Sequence, residues 1–401
     1  MPALAERLGA APVAATVTMT IRARALRAAG AEVIPLTIGE PDFPTPLHAI
    51  EAGYKAALAG QTKYPPQDGT PALKEAVRKK FRRENGLEFA PDEVMVGNGG
   101  KQVLYDAVMA TVDPGDEVVI PRPCWTAYPL MTRLAGGVPV SVSCPENNGF
   151  KLRAEDLEAA ITPRTKLLIL NLPNNPTGAA CTRAELAEIG AVISRHKQLW
   201  VVADDMYEHL VYDDSFSLVT LAAAVPDIAD RVVTVAGVSK TYAMTGWRIG
   251  FAGGPRALIK AMVNMQGQVT AGVSTVGQAA AVAALEGPQE LVAERRAIYR
   301  RRRDLVVAML NEAPGITCRK PEGAFYVYPN VGGCIGRTSA GGRPIATDQD
   351  FAQALLEEAH VAVVHGAAFG MSPYLRISYA TDEAALTEAC RRIAEFTAGL
   401  R

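Results

Sequence analysis

"TKLLILNLPNNPTG", residues 165–178, joins a buried strand to an abrupt turn. Its first half is a short apolar run, which is typical of a strand covered on both faces. Two prolines and a glycine then end the strand, as turn-forming residues do. They do not explain why the turn carries Asn174 and Asn175 side by side. We therefore expect these amides to hold something at the end of the strand.

Runs of the same kind recur on both sides of this stretch, from about residue 92 to residue 255. They alternate with helix-like segments such as KQVLYDAVMATV and RAELAEIGAVISRHK. This alternation predicts an α/β fold, with a mostly parallel sheet between two layers of helices. Ligands of such sheets bind at the carboxyl ends of the strands, which is where NLPNNPTG is expected to lie.

A second set of strand-like runs, AFYVYPNV, VAVVHG and YLRISYA, follows a long amphipathic segment at residues 291–310. We predict a large domain of residues 46–290 and a smaller α+β domain of residues 291–401. Residues 1–45 are expected to pack with the smaller domain and to close over the ligand site. The arginine run at residues 300–303 is interpreted as a solvated helix face.

The overall composition excludes several classes of protein. Lys plus Arg is 41 and Asp plus Glu is 42, a balance that argues against nucleic acid or an anionic membrane as the partner. The six cysteines include no CxxC pair, so neither a disulfide framework nor a zinc site is expected. No segment approaches the roughly 18 apolar residues that a membrane span needs, and the N-terminus is not a convincing signal peptide. We expect a cytoplasmic protein without a metal.

Polar groups follow several of the predicted strands. The glycine turn at residues 97–100 precedes a helix, and its backbone N–H groups would make a phosphate cradle. Lys240, desolvated at a strand end, would have a lowered pKa and attack carbonyl groups. Arg248 offers a fork for phosphate oxygens, since it follows eight residues later. Trp125 offers a face for stacking, and Asp204 offers a carboxylate for a cationic ring nitrogen.

Each of these features has an ordinary explanation when taken alone. Glycine-rich turns are common, a single tryptophan usually packs in a core, and a single lysine usually lies at the surface. Together with Asn175 and Tyr207, however, they occupy consecutive strand ends. That set fits one ligand, a phosphorylated pyridine aldehyde held as a Schiff base. The predicted cofactor is therefore pyridoxal 5'-phosphate, which the protein would orient and tune.

The sequence resembles the fold-type I, class I aminotransferases, and specifically the bacterial aspartate aminotransferase branch. The motifs NLPNNPTG and SKTYAMTGWRIG (239–250) together are highly specific for this resemblance. It extends over nearly the whole chain, through GEPDFPTP (39–46), TKYPPQDGTPALKEA (62–76) and YLRISYA (374–380).

The resemblance implies a role for each group around the cofactor. Lys240 forms the Schiff base and later moves the proton between the substrate Cα and the cofactor C4′. Asp204 pairs with the protonated pyridine nitrogen, while Tyr207 and Asn175 hydrogen-bond the phenolic O3′. Trp125 stacks on the ring. The phosphate is held by Gly100, Lys101, Arg248 and, from a second subunit of a homodimer, Tyr64.

The resemblance also implies how substrates bind. Arg376 grips the α-carboxylate in a bidentate fork, with Gly39 and Asn175 completing that pocket. A dicarboxylate needs a second cation, and the C-terminal half offers no obvious arginine for it. We hypothesise that the Lys101 side chain and Thr16 together bind the distal carboxylate. The alternative is that Lys101 is simply a solvated helix residue.

The expected reaction is transamination between an L-amino acid, with aspartate favoured, and 2-oxoglutarate or another 2-oxo acid. It would proceed by a ping-pong route through the pyridoxamine form of the cofactor. Prephenate, aromatic amino acids or alanine are alternative substrates, because relatives act on them. A C–S lyase or an aminocyclopropane-carboxylate synthase would share these motifs. A cofactor-sensing regulator is disfavoured, since no additional DNA-binding domain precedes the fold.

Two X–Pro bonds are expected to lie at sharp turns beside the cofactor. These are Arg122–Pro123 and Asn175–Pro176. We predict a cis peptide at one or both, and favour Asn175–Pro176.

Overall fold

A computed structural model describes Ala5, Gly9, residues 15–213, Phe216 and residues 219–401. The first regular elements are helix α1, Ala15–Ala28, and the short strand β1, Ile34–Pro35. Most of the chain before residue 15, which is predicted to close over the ligand site, lies outside the described residues.

Seven strands form the main sheet, and they are β2 Val94–Asn98, β3 Glu117–Arg122, β4 Val138–Ser143, β5 Thr165–Asn171, β6 Trp200–Asp204, β7 Val232–Gly237 and β8 Ile249–Gly253. Their order across the sheet is β2-β8-β7-β6-β5-β3-β4. Strand β8 is antiparallel to both of its neighbours, and all other neighbouring pairs are parallel. The predicted mostly parallel sheet is confirmed.

Helices flank this sheet, and they are α2 Leu47–Leu58, α3 Pro71–Lys80, α4 Gly100–Thr111, α5 Ala127–Leu134, α6 Ala154–Ala160, α7 Arg183–Arg195, α8 Leu221–Ala224, α9 Arg256–Val269 and α10 Thr275–Glu286. Side chains of β5 alternate between two apolar cores. Leu167 and Ile169 pack into one core, and Leu168 and Leu170 into the other. This alternation explains why four consecutive residues of the strand, 167–170, are apolar.

The C-terminal part contains a second set of elements, and they are α11 Glu290–Glu312, β9 Tyr326–Val327, α12 Asp348–Ala359, β10 Val361–Ala362, β11 Val364–His365, β12 Leu375–Ser378 and α13 Glu383–Ala398. Strands β11, β12 and β9 form an antiparallel sheet. Strand β10 pairs in parallel with β1, which joins the N-terminal segment to this part. The predicted boundaries at residues 46 and 290 stay predictions.

The arginine run of α11 is solvated only in part, since Arg300 and Arg301 are exposed. Arg302 and Arg303 are buried. Arg302 makes two 2.8 Å hydrogen bonds to the carboxylate of Asp42, and its guanidinium lies over the ring of Phe43. Arg303 donates to the carbonyl of Pro321. The interpretation was wrong for these two residues, because Arg302 pairs with a residue that is distant in sequence and Arg303 also binds a distant carbonyl, contacts that leave no local pattern.

Three X–Pro bonds of the described residues are cis, and they are Arg122–Pro123, Leu172–Pro173 and Ser372–Pro373. The prediction for Arg122–Pro123 is confirmed. The preference for Asn175–Pro176 was wrong, since the cis bond of the NLPNNPTG turn lies three residues earlier.

Asp106 on α4 provides a test of stability. Its side chain is fully buried, both carboxylate oxygens lack a hydrogen-bond partner among the described residues, and burial raises its pKa to about 7. The folded state therefore loses stability as the pH rises from about 4, where the unfolded aspartate ionises, to about 7. Asp106→Asn should be more stable than the parent, and its advantage should be about 1–2 kcal/mol larger at pH 8 than at pH 5.5.

Denaturant unfolding at the two pH values measures this difference. The exposed Asp113, just after the same helix, supplies the control variant Asp113→Asn, whose effect should not depend on pH in this way. An advantage of Asp106→Asn that is equal at both pH values would contradict the explanation.

Candidate active site

One cavity of about 520 Å³ lies at the carboxyl edge of the main sheet, where β5 and β6 end. All but one of the predicted site residues line it, namely Thr16, Gly39, Gly100, Lys101, Trp125, Asn175, Asp204, Tyr207, Lys240, Arg248 and Arg376. The exception is Tyr64, which is 95% exposed and does not line the cavity. The fold therefore brings together predicted site residues that are up to 360 positions apart in the chain.

The start of α4 and Arg248 meet in one region of the cavity wall. Strand β8 runs opposite to its neighbours. Arg248, which precedes β8, therefore lies at the same edge of the sheet as the residues that follow the other strands. Gly99 has φ 81°, and a Cβ there would lie 2.4 Å from Arg248 Nη2. Only glycine lets the guanidinium approach this closely. A helix start beside a guanidinium suits a phosphate dianion.

Arg248 itself adopts a conformation that costs energy. Its φ of 60° lies in the left-handed region, which non-glycine residues rarely occupy. Hydrogen bonds from its guanidinium to the carbonyls of Thr245 and Asn98 hold it there. Strained backbone of this kind is concentrated at functional sites.

Asp204 ends β6 at the floor of the cavity. Its side chain accepts hydrogen bonds from the Tyr128 hydroxyl, at 2.6 Å, and from the Met206 N–H, at 3.2 Å. Burial raises the pKa of Asp204 to about 6, although the bond from Tyr128 acts in the opposite direction. A carboxylate in such a place is stabilised by a cation that faces it, and a protonated ring nitrogen would supply one.

Lys240 lies just after β7, and its side chain reaches the same cavity. Burial lowers its pKa to about 8, although the Glu40 carboxylate partly opposes this shift. The ammonium donates a 2.6 Å hydrogen bond to the carbonyl of Gly39. A Cβ on Gly39 would lie 2.0 Å from the Tyr326 hydroxyl, so glycine is required in this segment. A lysine with this pKa is uncharged often enough to act as a nucleophile near neutral pH.

Arg376 on β12 is another arginine that lines the cavity. It is buried, and its guanidinium lies between the rings of Tyr326 and Phe369, 4.7 and 5.0 Å from their centroids. Nη1 donates to Asn175 Oδ1 at 3.1 Å, and Nη2 donates to the carbonyl of Thr37 at 2.5 Å. Nε has no partner among the described residues. The arrangement is a preoriented fork for a carboxylate.

The two asparagines of NLPNNPTG have different tasks. Asn174 Oδ1 accepts from the backbone N–H of Thr177, at 3.2 Å, and from its hydroxyl, at 2.9 Å, which closes the turn. Asn175 faces the cavity and contacts Arg376, while Asn171 Oδ1 holds its backbone N–H at 2.8 Å. Only the second asparagine is therefore available to a ligand.

Trp125, Lys101 and Thr16 form part of the remaining wall. The Trp125 ring packs edge-on against Tyr128, and Lys101 Nζ lies 5.3 Å from the centroid of the Trp125 ring. Thr16 lies on α1 and lines the same cavity. Among the described residues no hydrogen bond joins Lys101 to Thr16.

The sequence did not identify several residues that line the cavity, among them Arg24, Thr37, Tyr128 and Tyr326. Tyr128 carries no such signal, because it lies in the first turn of α5 and Trp125 precedes that helix. Arg24 could have been found, because Thr16, Thr20 and Arg24 follow one another at the four-residue spacing of one helix face on α1.

The residues of the cavity fit pyridoxal 5'-phosphate. Gly99 leaves the space for Arg248 beside the helix start, as a phosphate requires. Asp204 is a buried carboxylate suited to a cationic nitrogen, and Lys240 is an amine with a lowered pKa suited to an aldehyde. The cavity thus offers partners for the phosphate, the ring nitrogen and the aldehyde of that cofactor.

The sheet and the position of its site place the chain among the fold-type I enzymes. The model of the "Aminotransferase class I and II" family matches residues 31–393. The chain belongs to this family and is an aminotransferase.

Close relatives agree with this assignment along their full length. The chain is 57% identical over 400 residues to the aspartate/prephenate aminotransferase of Cereibacter sphaeroides, with 100% of both chains covered. The crystal structure of the aspartate aminotransferase from Rhizobium meliloti superposes with a TM-score of 0.97 at 51% identity, covering 100% of both chains. That of the Thermus thermophilus aspartate aminotransferase with maleate gives 0.91 at 40% identity, covering 99% of this chain and 100% of the other.

Proposed function

We propose that the chain binds pyridoxal 5'-phosphate through Lys240 and transfers the amino group of an L-amino acid, preferably aspartate, to 2-oxoglutarate or another 2-oxo acid. The observation that carries the proposal is one cavity that joins a lysine of lowered pKa to a buried carboxylate and to the guanidinium groups of Arg248 and Arg376. The names of the relatives, which include aspartate and prephenate, support the choice of substrates.

The cofactor, when bound, supplies an electron sink that makes the substrate Cα–H acidic. Asp204 would hold the proton on the ring nitrogen, since its carboxylate is buried at the end of β6. The start of α4 and Arg248 hold the phosphate, and Trp125 packs against the ring. Tyr207 lies beside Lys240 and offers a hydroxyl to the ring oxygen, with Asn175 as the second donor.

Lys240 has two tasks in this proposal. First, it would hold the cofactor between turnovers. Second, its amine would take the proton from the substrate Cα and deliver it to the cofactor C4′. Both tasks require an uncharged amine, and burial provides it by lowering the pKa of Lys240 to about 8. Arg376 meanwhile fixes the α-carboxylate, which orients the Cα–H bond toward the lysine.

Incubation with a single substrate tests the proposal. Aspartate alone should convert the bound cofactor to its amine form and release one oxaloacetate per site, and 2-oxoglutarate should restore the aldehyde form. A C–S lyase would instead release a thiol and ammonia from a sulfur-containing amino acid, turnover after turnover, while keeping the aldehyde form. A panel of donors that includes phenylalanine and alanine, and a panel of 2-oxo acid acceptors that includes prephenate, would then rank the substrates by kcat/KM.

A second proposal concerns the distal carboxylate of aspartate, which we assign to Lys101 and Thr16. Among the lining residues, Arg248 and Arg376 have ligands proposed already, whereas Lys101 and Arg24 have no ion pair within the part of the chain that the structure describes. Lys101 is preferred because its ammonium lies beside Trp125, 5.3 Å from the ring centroid. Maleate, which is present in the Thermus structure, is also a dicarboxylate.

Lys101→Ala should lower kcat/KM for aspartate about tenfold or more, since a lost charge-assisted hydrogen bond costs roughly 1.5–3 kcal/mol. Phenylalanine, which lacks a distal carboxylate, should be affected little. Single-turnover half-reactions measure each donor without the second substrate. Equal losses for the two donors would mean that Lys101 serves only the cofactor.

We propose further that the active unit is a cytoplasmic homodimer. Helix α2 supports this proposal, because its small residues face inward while its large apolar residues face outward. The outward residues are 41–70% exposed, and they are Leu47, Ile50, Tyr54 and Leu58. An apolar stripe of this kind is normally covered by another protein surface. Tyr64 lies in the segment after α2, from which it could reach the phosphate bound by the partner subunit.

No helix in the described part of the chain is long and apolar enough to cross a membrane.

Tyr54→Asp should therefore shift the protein from dimer to monomer and reduce its activity to the same extent. The matched control is Val138→Asp, because Val138 is 49% exposed at the other end of the main sheet. Sedimentation equilibrium measures the fraction of dimer, and parallel assays show whether activity falls with it. A fully active monomer would refute the shared site.

A further inference from the structure

A buried polar cluster lies behind the proposed active site, on the far side of the segment that follows β6. Asp204 and Tyr207 of this segment line the cavity, whereas Glu208 and His209 do not. Glu208 and His209 instead meet the end of α3, which continues as a π-helical turn at Phe81–Asn85. Turns of this type are rare and are frequent at functional sites.

His209 connects two distant segments within this cluster. Its Nε2 lies 2.9 Å from Glu84 Oε2, and its Nδ1 lies 2.9 Å from Thr241 Oγ1. Thr241 is the residue directly after Lys240, and it is 4% exposed. The imidazole therefore bridges the segment that carries Asp204 and Tyr207 to the turn that carries the lysine.

The charge of Glu84 fixes the direction of these hydrogen bonds. Burial opposes its ionisation, but the hydrogen bond with His209 and the ammonium of Lys80 lower its pKa to about 2. An ionised carboxylate only accepts, so His209 Nε2 donates to it. In the neutral imidazole Nδ1 is then an acceptor, and the Thr241 hydroxyl donates to it.

A second set of bonds keeps the carboxylate side of the cluster in place. Lys80 is 1% exposed and contacts Glu208, Asn85 and Glu84. Asn85 also donates to Glu208 at 2.8 Å. The Thr241 carbonyl, for its part, accepts from Arg295 at 3.3 Å.

Two other functions for the cluster are disfavoured. The order carboxylate, imidazole and hydroxyl is that of an activated nucleophile, but Thr241 is buried and does not line the cavity. Glu84, Glu208 and His209 could ligate a metal, since one atom of each lies within 4.8 Å of the others. The Lys80 ammonium already contacts both carboxylates and supplies the positive charge that a metal would bring.

We propose that Glu84, His209 and Thr241 form a lysine anchor, a set of positioning residues that fixes Lys240 relative to Asp204 and Tyr207. The anchor holds the Thr241 side chain, and therefore the backbone from which Lys240 projects. The amine stays within reach of the cofactor aldehyde and of the substrate Cα. The inference rests on the proposed function, because it assumes that Lys240 binds the cofactor.

Thr241→Val and Thr241→Ser are the decisive pair. Valine keeps the shape but removes the hydroxyl and leaves His209 Nδ1 unpaired, whereas serine keeps the hydroxyl. In the holoenzyme, Thr241→Val should lower the single-turnover rate constant at saturating aspartate roughly tenfold, with KM changed less than about twofold. It should also speed release of the cofactor to a trapping apoenzyme. Thr241→Ser should restore both properties to near the parent values.

His209→Gln and His196→Gln form a matched second pair. His196 makes a similar 2.9 Å contact to Glu158, but it lies at the end of α7, away from the cavity. If both variants lose thermal stability equally and only His209→Gln releases the cofactor faster, the anchor is supported.

Two results would overturn the proposal. One is an equal effect of Thr241→Val and Thr241→Ser on cofactor release and turnover. The other is a loss confined to the melting temperature, which would make the cluster merely structural. Failure of the proposed function is distinguishable, because the parent itself would then show no cofactor trapped on Lys240 by borohydride, and the inference would fall with it.

Discussion

Lys240→Ala is expected to lower the rate of the aspartate half-reaction by roughly 10⁴-fold. The variant loses both the amine that holds the cofactor and the base that moves the Cα proton. Borohydride reduction followed by peptide mapping should label one peptide of the parent, the one that contains Lys240. The variant should bind the cofactor more weakly and show no label.

Lys101→Ala is the matched control for this experiment, since Lys101 is the other lysine that lines the cavity. It should retain the label on Lys240 even if its activity toward aspartate falls. A label that persists at a single site in Lys240→Ala would mean that another lysine forms the covalent bond.

Arg376→Lys is expected to lower kcat/KM roughly 10²-fold or more for every amino acid donor. Lysine keeps the positive charge but cannot make the two parallel bonds of a guanidinium. It also cannot keep both the Asn175 and the Thr37 contacts that orient Arg376. Because the α-carboxylate is common to all donors, aspartate and phenylalanine should lose activity to a similar extent.

Equilibrium binding of the cofactor is the control for Arg376→Lys and should remain near the parent value. A loss restricted to aspartate would instead assign Arg376 to the distal carboxylate. In that case the roles of Arg376 and Lys101 would have to be exchanged.

Several residues that line the cavity could be placed from the sequence, because each of them is marked by the strand pattern next to it. Asp204, Lys240 and Asn175 each follow an apolar strand, and parallel strands bring their carboxyl ends to one edge. The position of these residues in the sheet therefore follows from pattern alone. Their roles toward the cofactor came from the family resemblance.

Other features could not be predicted, because their causes are distant in sequence. The burial of Arg302 depends on Asp42, some 260 residues earlier. His209 follows the end of β6 without any recognisable motif. Its partners Glu84 and Thr241 lie 125 and 32 residues away, so the sequence gives no sign that His209 connects them. Thr37 contributes a backbone carbonyl, which any residue type would provide.

The reversed direction of β8 determines the distance between the start of α4 and Arg248. Asn98 of β2 pairs with Ile249 of β8, so the start of α4 and Arg248 are neighbours through the ladder of the sheet. Their separation is set by strand register, which changes only in steps of about 3.4 Å and turns side chains to the opposite face with each step. The sheet thus acts as a ruler for a group of phosphate size. Side chains around it can vary gradually, but the distance between the two phosphate-binding elements can change only in whole residues.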